Sequence, residues 1–305
     1  MNDFNKVKEA LDLLNVGKVW LNEPLSKHTT LKVGGPADIM IQPFHKEGLI
    51  QTVRYLTSQH IPWIAIGRGS NLLVRDGGIR GAVIKLGKGL DALTIEEDKV
   101  TVGAGFSMIK LATIVAQHGL SGLEFAGGIP GTVGGAVYMN AGAHGSDISS
   151  VLENAQILFT DGEIRVLDKE ELNFSYRTSC LQGERKGICL EACFKLKKGN
   201  RDEILAKMTA NKNYRRQTQP LQQPCCGSVF RNPTPYSSGR LIEESGLKGF
   251  RVGDAQVSTK HANFIVNLGQ AKARDVLTLI EHIQKTVYQN YGIHLQREVE
   301  VIGEE

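Results

Sequence analysis

The sequence contains no CxxC pair, no apolar leader and no marked excess of either charge. Each absence excludes a class of protein. The five cysteines, Cys180, Cys189, Cys193, Cys225 and Cys226, are odd in number, and their spacings suit neither a disulfide framework nor a zinc site; reduced thiols are expected. The first residues, MNDFNKVKEALDLL, carry a charge every few positions and lack the apolar h-region of a signal peptide, so the cytoplasm is the expected compartment. Lys and Arg number 36 against 32 Asp and Glu, a net +4 with the basic residues scattered, and no nucleic-acid partner is expected. No HExxH or His pair at ligand spacing occurs, so no metal is expected. A strand followed by G-x-G-x-x-G is missing, as is GxxxxGK[ST], which excludes the Rossmann fingerprint and the P-loop. The uncharged run from Phe125 to Ser146 is long enough for a membrane span of about 20 residues. Seven of its residues are glycine, however, and Pro130, Asn140 and His144 interrupt it, so no membrane partner is expected. Nothing signals an oligomer, and a monomer is expected.

What is abundant is glycine: 34 of 305 residues, clustered in a few places. That is about 11%, against a usual ~7%. The length suggests about two domains. Apolar periodicity predicts helices over 3–15, 46–60, 107–118, 201–216, 238–245 and 271–290. Strand-length apolar runs stand at 63–66, 72–74, 82–86, 188–196, 255–258, 263–267 and 295–302. Residues 93–105 read as a hairpin, and so do 153–167, where Asp161-Gly162 suits a two-residue turn. HTTLKVGGPAD (28–38) reads as a loop and turn, and 125–145 as a glycine-rich loop. Four of the nine prolines fall within 220–235. The class is α+β, with a boundary near 198.

Two glycine segments carry the first chemical signal. IAIGRGSNLLVRDGG (64–78) runs from a strand through Gly67, Arg68, Gly69, Ser70, Asn71 and Leu72 into another strand. Glycines there let backbone N–H groups approach an anion; an ordinary strand–turn–strand has the same pattern. FAGGIPGTVGGAVYMNAGAHG (125–145) contains Gly128, Gly131, Thr132, Gly134, Gly135 and Ala143. Such a segment suits a backbone pressed against a flat cofactor with a diphosphate, or a close-packed turn. Tyr176-Arg177 sets a guanidinium among aromatic and hydroxyl residues, fit for a carboxylate or for the surface. Ser228, in CCGSVFRNP (225–233), lacks the G-x-S-x-G context of an acyl nucleophile. It reads as a hydrogen-bond or proton donor, or as a turn serine. Glu298 and Glu300 share one face of a strand. Arg215, Arg216 and Arg231 flank the Ser228 loop and suit a diphosphate or a solvated charged face.

In order, HTTLKVGGPAD, IGRGSNLLVRD, GGIPGTVGGAVYMNAGAHG, FSYR, GSVFRNP, SGRLIEESGLKG, HANFIVN and REVEVIG closely resemble the UDP-N-acetylenolpyruvoylglucosamine reductase family of bacterial peptidoglycan synthesis. The resemblance runs from about residue 20 to 303, and eight motifs in sequence are specific. It implies an FAD-binding fold of the vanillyl-alcohol oxidase type. Residues 1–198 would bind FAD in two subdomains, about 1–88 and 89–198. Residues 199–305 would form an α+β substrate-binding domain whose last strand returns to the FAD domain. The short interval after Arg177 is similar to the subclass without an extra tyrosine loop. The cofactors implied are FAD, at the two glycine segments, and NADPH. NADPH would reduce FAD and leave, and flavin N5 would pass hydride to the β-carbon of an enolpyruvyl UDP-sugar. By the same resemblance Ser228 matches the proton donor to the α-carbon, Arg177 the arginine, Glu298 the glutamate and Asn232 a substrate contact. Tyr176, Arg177, Asn232, Arg231 and Arg215 are the expected substrate residues. Another FAD oxidase of this fold, or a non-catalytic flavin module, would explain the glycine segments but not the order of Arg177, Ser228 and Glu298.

Overall fold

The computed structural model describes residues 3–183 and 185–305. The chain folds into two compact units, each built from separate stretches. The first comprises Met1–Leu21, Ile39–Arg68 and Gly81–Tyr214; the second comprises Asn22–Asp38, Gly69–Arg80 and Arg215–Glu305. An interleaved division thus takes the place of the single expected cut near 198, and packing gives the reason. Ile204 and Met208, on the helix Arg201–Thr218, are buried in the first core, so the first unit continues to Tyr214. Leu31, Val33 and Leu73 are buried in the second core, which recruits two early segments to it. The terminal strand Glu300–Ile302 pairs in parallel with Leu72–Val74, a strand that precedes residue 198 yet belongs to the second unit.

In the first unit, a four-stranded sheet runs in the order Gly17–Pro24, Pro36–Pro43, Ile79–Lys85, Trp63–Ile66. A five-stranded antiparallel sheet runs Ile164–Asp168, Leu152–Phe159, Gly187–Lys195, Lys99–Gly103, Leu93–Glu96. Both rest on one continuous core. The helix Lys46–Ser58 buries Leu49, Ile50, Val53 and Leu56, an apolar stripe at helical spacing, and His45 Nδ1 accepts the Gly48 N–H at 3.0 Å to cap it. Two of these strands depart from the sequence reading. Gly17–Pro24 carries no clean alternation, and Pro36–Pro43 begins inside the expected loop 28–38, directly after Gly34-Gly35. The second hairpin also differs from expectation. Gly162 N–H donates to Phe159 C=O and Phe159 N–H to Glu163 C=O, so the connection is a three-residue loop with Gly162 left-handed (φ +84°).

The second unit packs the helix Ala273–Tyr291 on the sheet Arg251–Val252, Ala255–Val257, Ile265–Asn267. Val276, Leu279, Ile280, Ile283 and Val287 form its buried stripe, and Gly292, at φ +69°, ends it. The carboxylate of Asp76 accepts the N–H groups of Ala273 and Arg274 at 2.8 and 3.0 Å, satisfying donors that a helix start leaves without an internal partner. No described helix is long and apolar enough to cross a membrane.

Candidate active site

In the first unit the two glycine segments meet. Trp63–Ile66 lies parallel to Ile79–Lys85, with Ile66 opposite Lys85, and runs straight into Gly67. A Cβ on Gly67 would stand 2.4 Å from Thr132 Oγ1, so only glycine allows this approach. Thr132 is buried, and its hydroxyl caps the helix Val133–Tyr138 by accepting the Gly135 N–H at 3.3 Å. That helix corrects the expectation of a loop across 125–145. The cap and the burial of Val133, Ala136 and Val137 offset the ~0.5–1 kcal/mol that each helical glycine costs. Gly134 is needed for contact, since its Cβ would lie 2.8 Å from Ala104 Cβ. Gly128 closes the 3-10 turn Glu124–Gly128, and Gly131 C=O accepts the Met108 N–H. Ala143 ends a short strand that pairs with Ser146–Asp147 across His144-Gly145, both at positive φ, the signature of a type I′ turn.

Arg68 and Lys85 bring two cations to this corner. Burial, and after it the charge of Arg68, push the Lys85 ammonium down to about 8. An anionic group placed here would offset this shift by favouring the charged ammonium. Lys85 carries no sequence signal beyond being a lysine at a strand end.

Arg177 sits on the tip of a tight hairpin in the same unit. Ser175 and Thr178 exchange both backbone hydrogen bonds, at 3.0 and 3.1 Å, leaving Tyr176-Arg177 as the two central residues. Arg177 has φ +58°, a conformation that normally falls to Gly or Asn at this turn position. Its Nη2 donates to Gly142 C=O at 2.8 Å, beside Ala143, and its guanidinium lies 5.0 Å from the centroid of the exposed Tyr176 ring. The structure therefore joins Arg177 and Tyr176 to the Ala143 end of the second glycine segment.

In the second unit, Ser70, Asn71, Ser228 and Glu298 are brought together through the backbone. Asn71 Nδ2 donates to Glu298 C=O at 3.0 Å, and Glu300 N–H donates to Asn71 C=O; Leu72 then opens the strand paired with Glu300–Ile302. Glu298 N–H in turn donates to Val229 C=O at 2.8 Å, directly after Ser228. Gly69, at φ +65°, passes so close to His28 C=O that a Cβ would lie 2.5 Å from it. Gly227, at φ +80°, faces Ser70 C=O across 3.9 Å measured from where a Cβ would be. The loop is stiffened by Asn263, whose side chain accepts the Phe230 N–H at 2.9 Å and donates to Phe230 C=O at 2.8 Å. Sequence pattern alone does not single out Asn263; only its place in HANFIVN draws notice.

The remaining expected residues are less alike. Asn232 is exposed, and its Oδ1 accepts the Ser238 N–H at 3.0 Å, so part of this side chain holds the start of the helix Ser238–Glu244. Arg231 is half-buried, and its N–H donates to Gln296 C=O, in the segment that leads to Glu298. Arg215 is half-buried; desolvation pushes its guanidinium down, and its Nε has no hydrogen-bond partner. A buried guanidinium N–H left unmatched suits an incoming anion. All five cysteines are free thiols; burial pushes Cys226 up to about 12, an inert packing residue beside the Ser228 loop.

The comparisons agree with this layout. Residues 219–302 match the family model described as UDP-N-acetylenolpyruvoylglucosamine reductase, C-terminal domain, and residues 37–168 match FAD binding domain. The UDP-N-acetylenolpyruvoylglucosamine reductase of Anoxybacillus flavithermus is 60% identical over 300 residues, 98% of this chain and 99% of its own length. That of Bacillus subtilis is 54% identical over 300 residues, covering 98% and 99%. The crystal structure of UDP-N-acetylenolpyruvylglucosamine reductase from Thermus caldophilus superposes with a TM-score of 0.80 at 40% identity, over 93% of this chain and 98% of that one. The fold is the FAD-binding fold of the vanillyl-alcohol oxidase type with an added C-terminal domain. By sequence and by fold, this chain belongs to the UDP-N-acetylenolpyruvoylglucosamine reductase family, FAD-dependent oxidoreductases of peptidoglycan synthesis.

Proposed function

We propose that the chain uses NADPH and FAD to reduce UDP-N-acetylglucosamine enolpyruvate to UDP-N-acetylmuramate, in the cytoplasm and as a monomer. The observation that carries this reading is the backbone pairing that sets Ser228 beside Glu298, in a chain related to these reductases over nearly its whole length. When bound, FAD supplies the redox chemistry, accepting hydride from NADPH and passing it to the enolpyruvyl β-carbon. The residues fit such a group. The Gly67–Thr132 contact joins the two glycine segments, and Arg68 with Lys85 suits an anionic diphosphate. Gly67, Arg68, Gly69, Ser70, Asn71, Leu72, Gly128, Gly131, Thr132, Gly134, Gly135 and Ala143 are the residues that would hold it.

The catalytic roles then follow from charge. Hydride addition to an enol ether conjugated with a carboxylate builds negative charge on that carboxylate. A fixed guanidinium at Arg177 stabilises it, and preorganised charge of this kind is often the largest catalytic contribution. The Ser228 hydroxyl gives its proton to the α-carbon, and Glu298 shares a hydrogen bond with the developing enol. Tyr176, Asn232, Arg231 and Arg215 orient the substrate, with Arg215 the best suited of them to phosphate because its Nε is buried without a partner.

The test is an anaerobic stopped-flow trace of the flavin band. NADPH is expected to bleach it, and UDP-N-acetylglucosamine enolpyruvate to restore it. Bleaching without recovery would leave the flavoprotein and overturn the substrate.

A further inference from the structure

We propose that Gln182 is a positioning residue that fixes the Arg177 turn to the second glycine segment; this rests on the role given to Arg177 above. The turn places a residue with a Cβ in a left-handed conformation, and backbone of that kind persists only where its surroundings over-determine it. Gln182 supplies the determination. Its Nε2 donates to Arg177 C=O at 3.1 Å and to Tyr138 C=O at 2.8 Å, with the weaker acceptor Met139 Sδ at 3.6 Å. Tyr138 is the last residue of the helix that Thr132 begins, so its carbonyl is one of those a helix end leaves without an internal donor. Ser179, itself buried, donates its hydroxyl to the same carbonyl at 2.7 Å. One amide thus ties the backbone of Arg177 to the end of the glycine-rich helix.

Two further anchors act on the same turn. Asn140 Nδ2 donates to Ser175 C=O at 3.0 Å, and Asn140 is held in place by Asp147 and by the Ser149 N–H. At the tip, Arg177 Nη2 reaches Gly142 C=O. The Ser175 carbonyl and the guanidinium are therefore bonded directly to residues 138–142, and the Arg177 carbonyl is linked to them through Gln182. Of the three, only Gln182 bonds the carbonyl of the strained residue itself. Without its N–H donors, that carbonyl loses this anchor, the strained turn relaxes toward an ordinary one, and the guanidinium moves with it.

The experiment is a double-mutant cycle read in the two half-reactions of the FAD-loaded enzyme. Gln182→Met keeps the volume and removes both donors. Flavin reduction by NADPH is expected at the wild-type rate. Reoxidation by UDP-N-acetylglucosamine enolpyruvate is expected to fall roughly 10- to 100-fold, the scale of a small misplacement of a catalytic group. In an Arg177→Ala background, adding Gln182→Met is expected to slow reoxidation no further, because the two residues act as one. Equal slowing in both backgrounds would overturn the proposal, since Gln182 would then act elsewhere. Arg177→Ala reoxidising at the wild-type rate would instead overturn the role of Arg177, and is a separate reading. Should Gln182→Met fail to fold, Gln182→Glu, which also lacks the two N–H donors, is put through the same cycle. A thermal midpoint lowered with reoxidation unchanged would reduce Gln182 to a structural residue and also overturn the proposal.

Discussion

Arg177 itself takes the left-handed backbone of its turn, φ +58°, whereas at the Ser228 loop that conformation falls on the neighbouring Gly227, φ +80°. Glycine adopts it without steric cost; a residue with a Cβ is penalised by about 1–2 kcal/mol. The two turns therefore hold their functional side chains by different means. Ser228 inherits an unstrained position from a glycine, and Asn263 and Glu298 fix the backbone that follows. Arg177 carries strain that surrounding hydrogen bonds must maintain. A short side chain acting over a short reach can thus be set by backbone pairing alone. A long guanidinium needs its own peptide held as well.

The largest expected effect comes from removing chemistry and leaving the frame. Ser228→Ala deletes one hydroxyl beside an unchanged glycine turn. Flavin reduction by NADPH should proceed normally, while steady-state turnover should fall by roughly 10²- to 10⁴-fold, the usual worth of a positioned proton donor. A Ser228→Ala enzyme turning over at the wild-type rate would remove serine from the mechanism and break the comparison at its simpler side. The next effect concerns a third kind of glycine, one required by close approach. A Cβ at Gly67 would overlap Thr132 Oγ1, and that hydroxyl is already engaged in capping a helix. Gly67→Ala should therefore cost about 1–3 kcal/mol, as overpacking of a tight site does. It should also weaken FAD binding, which thermal melts of the apoprotein and a flavin titration would report. A variant with wild-type stability and FAD affinity would show that the two glycine segments do not need their contact.

The sequence exposes one side of this comparison better than the other. Glycines and alternating apolar residues are visible because the element itself requires them. The strands 63–66 and 72–74, the helices with one apolar stripe, and the two glycine segments were legible for that reason. The helix Val133–Tyr138 was hidden because two of its six residues are glycine, and its cap and burial outweigh their poor propensity. The interleaved units were hidden because Leu31, Val33 and Leu73 look like any other apolar residues; which core receives them is decided by long-range packing. Within the site, Arg177, Ser228 and Glu298 stood out through ordered motifs. Lys85, Asn140, Asn263 and Gln182 did not, since their value lies in partners up to 44 residues away. Nothing in periodicity marks an amide that will bridge two carbonyls.

The smallest expected effects bear most directly on the two turns, and they are best read as a pair of opposite exchanges. Gly227→Ala introduces a Cβ whose nearest neighbour is Ser70 C=O at 3.9 Å, ordinary contact, so its cost is conformational and not steric. A loss of about 1 kcal/mol is expected, seen as a lower denaturation midpoint at unchanged slope. Arg177→Gly makes the reverse exchange: it relieves the left-handed strain, against about 0.5–1 kcal/mol of added chain entropy in the unfolded state. Arg177→Ala keeps the strain and loses the same guanidinium bonds. Side by side, Arg177→Gly should thus be the more stable of the two by a few tenths to about 1 kcal/mol, although both lack the charge needed for reoxidation. Equal midpoints for these two variants would mean that the turn relaxes as soon as the guanidinium is gone. The strain would then be maintained by the bond to Gly142 at the tip, and not by the amide of Gln182 at the carbonyl.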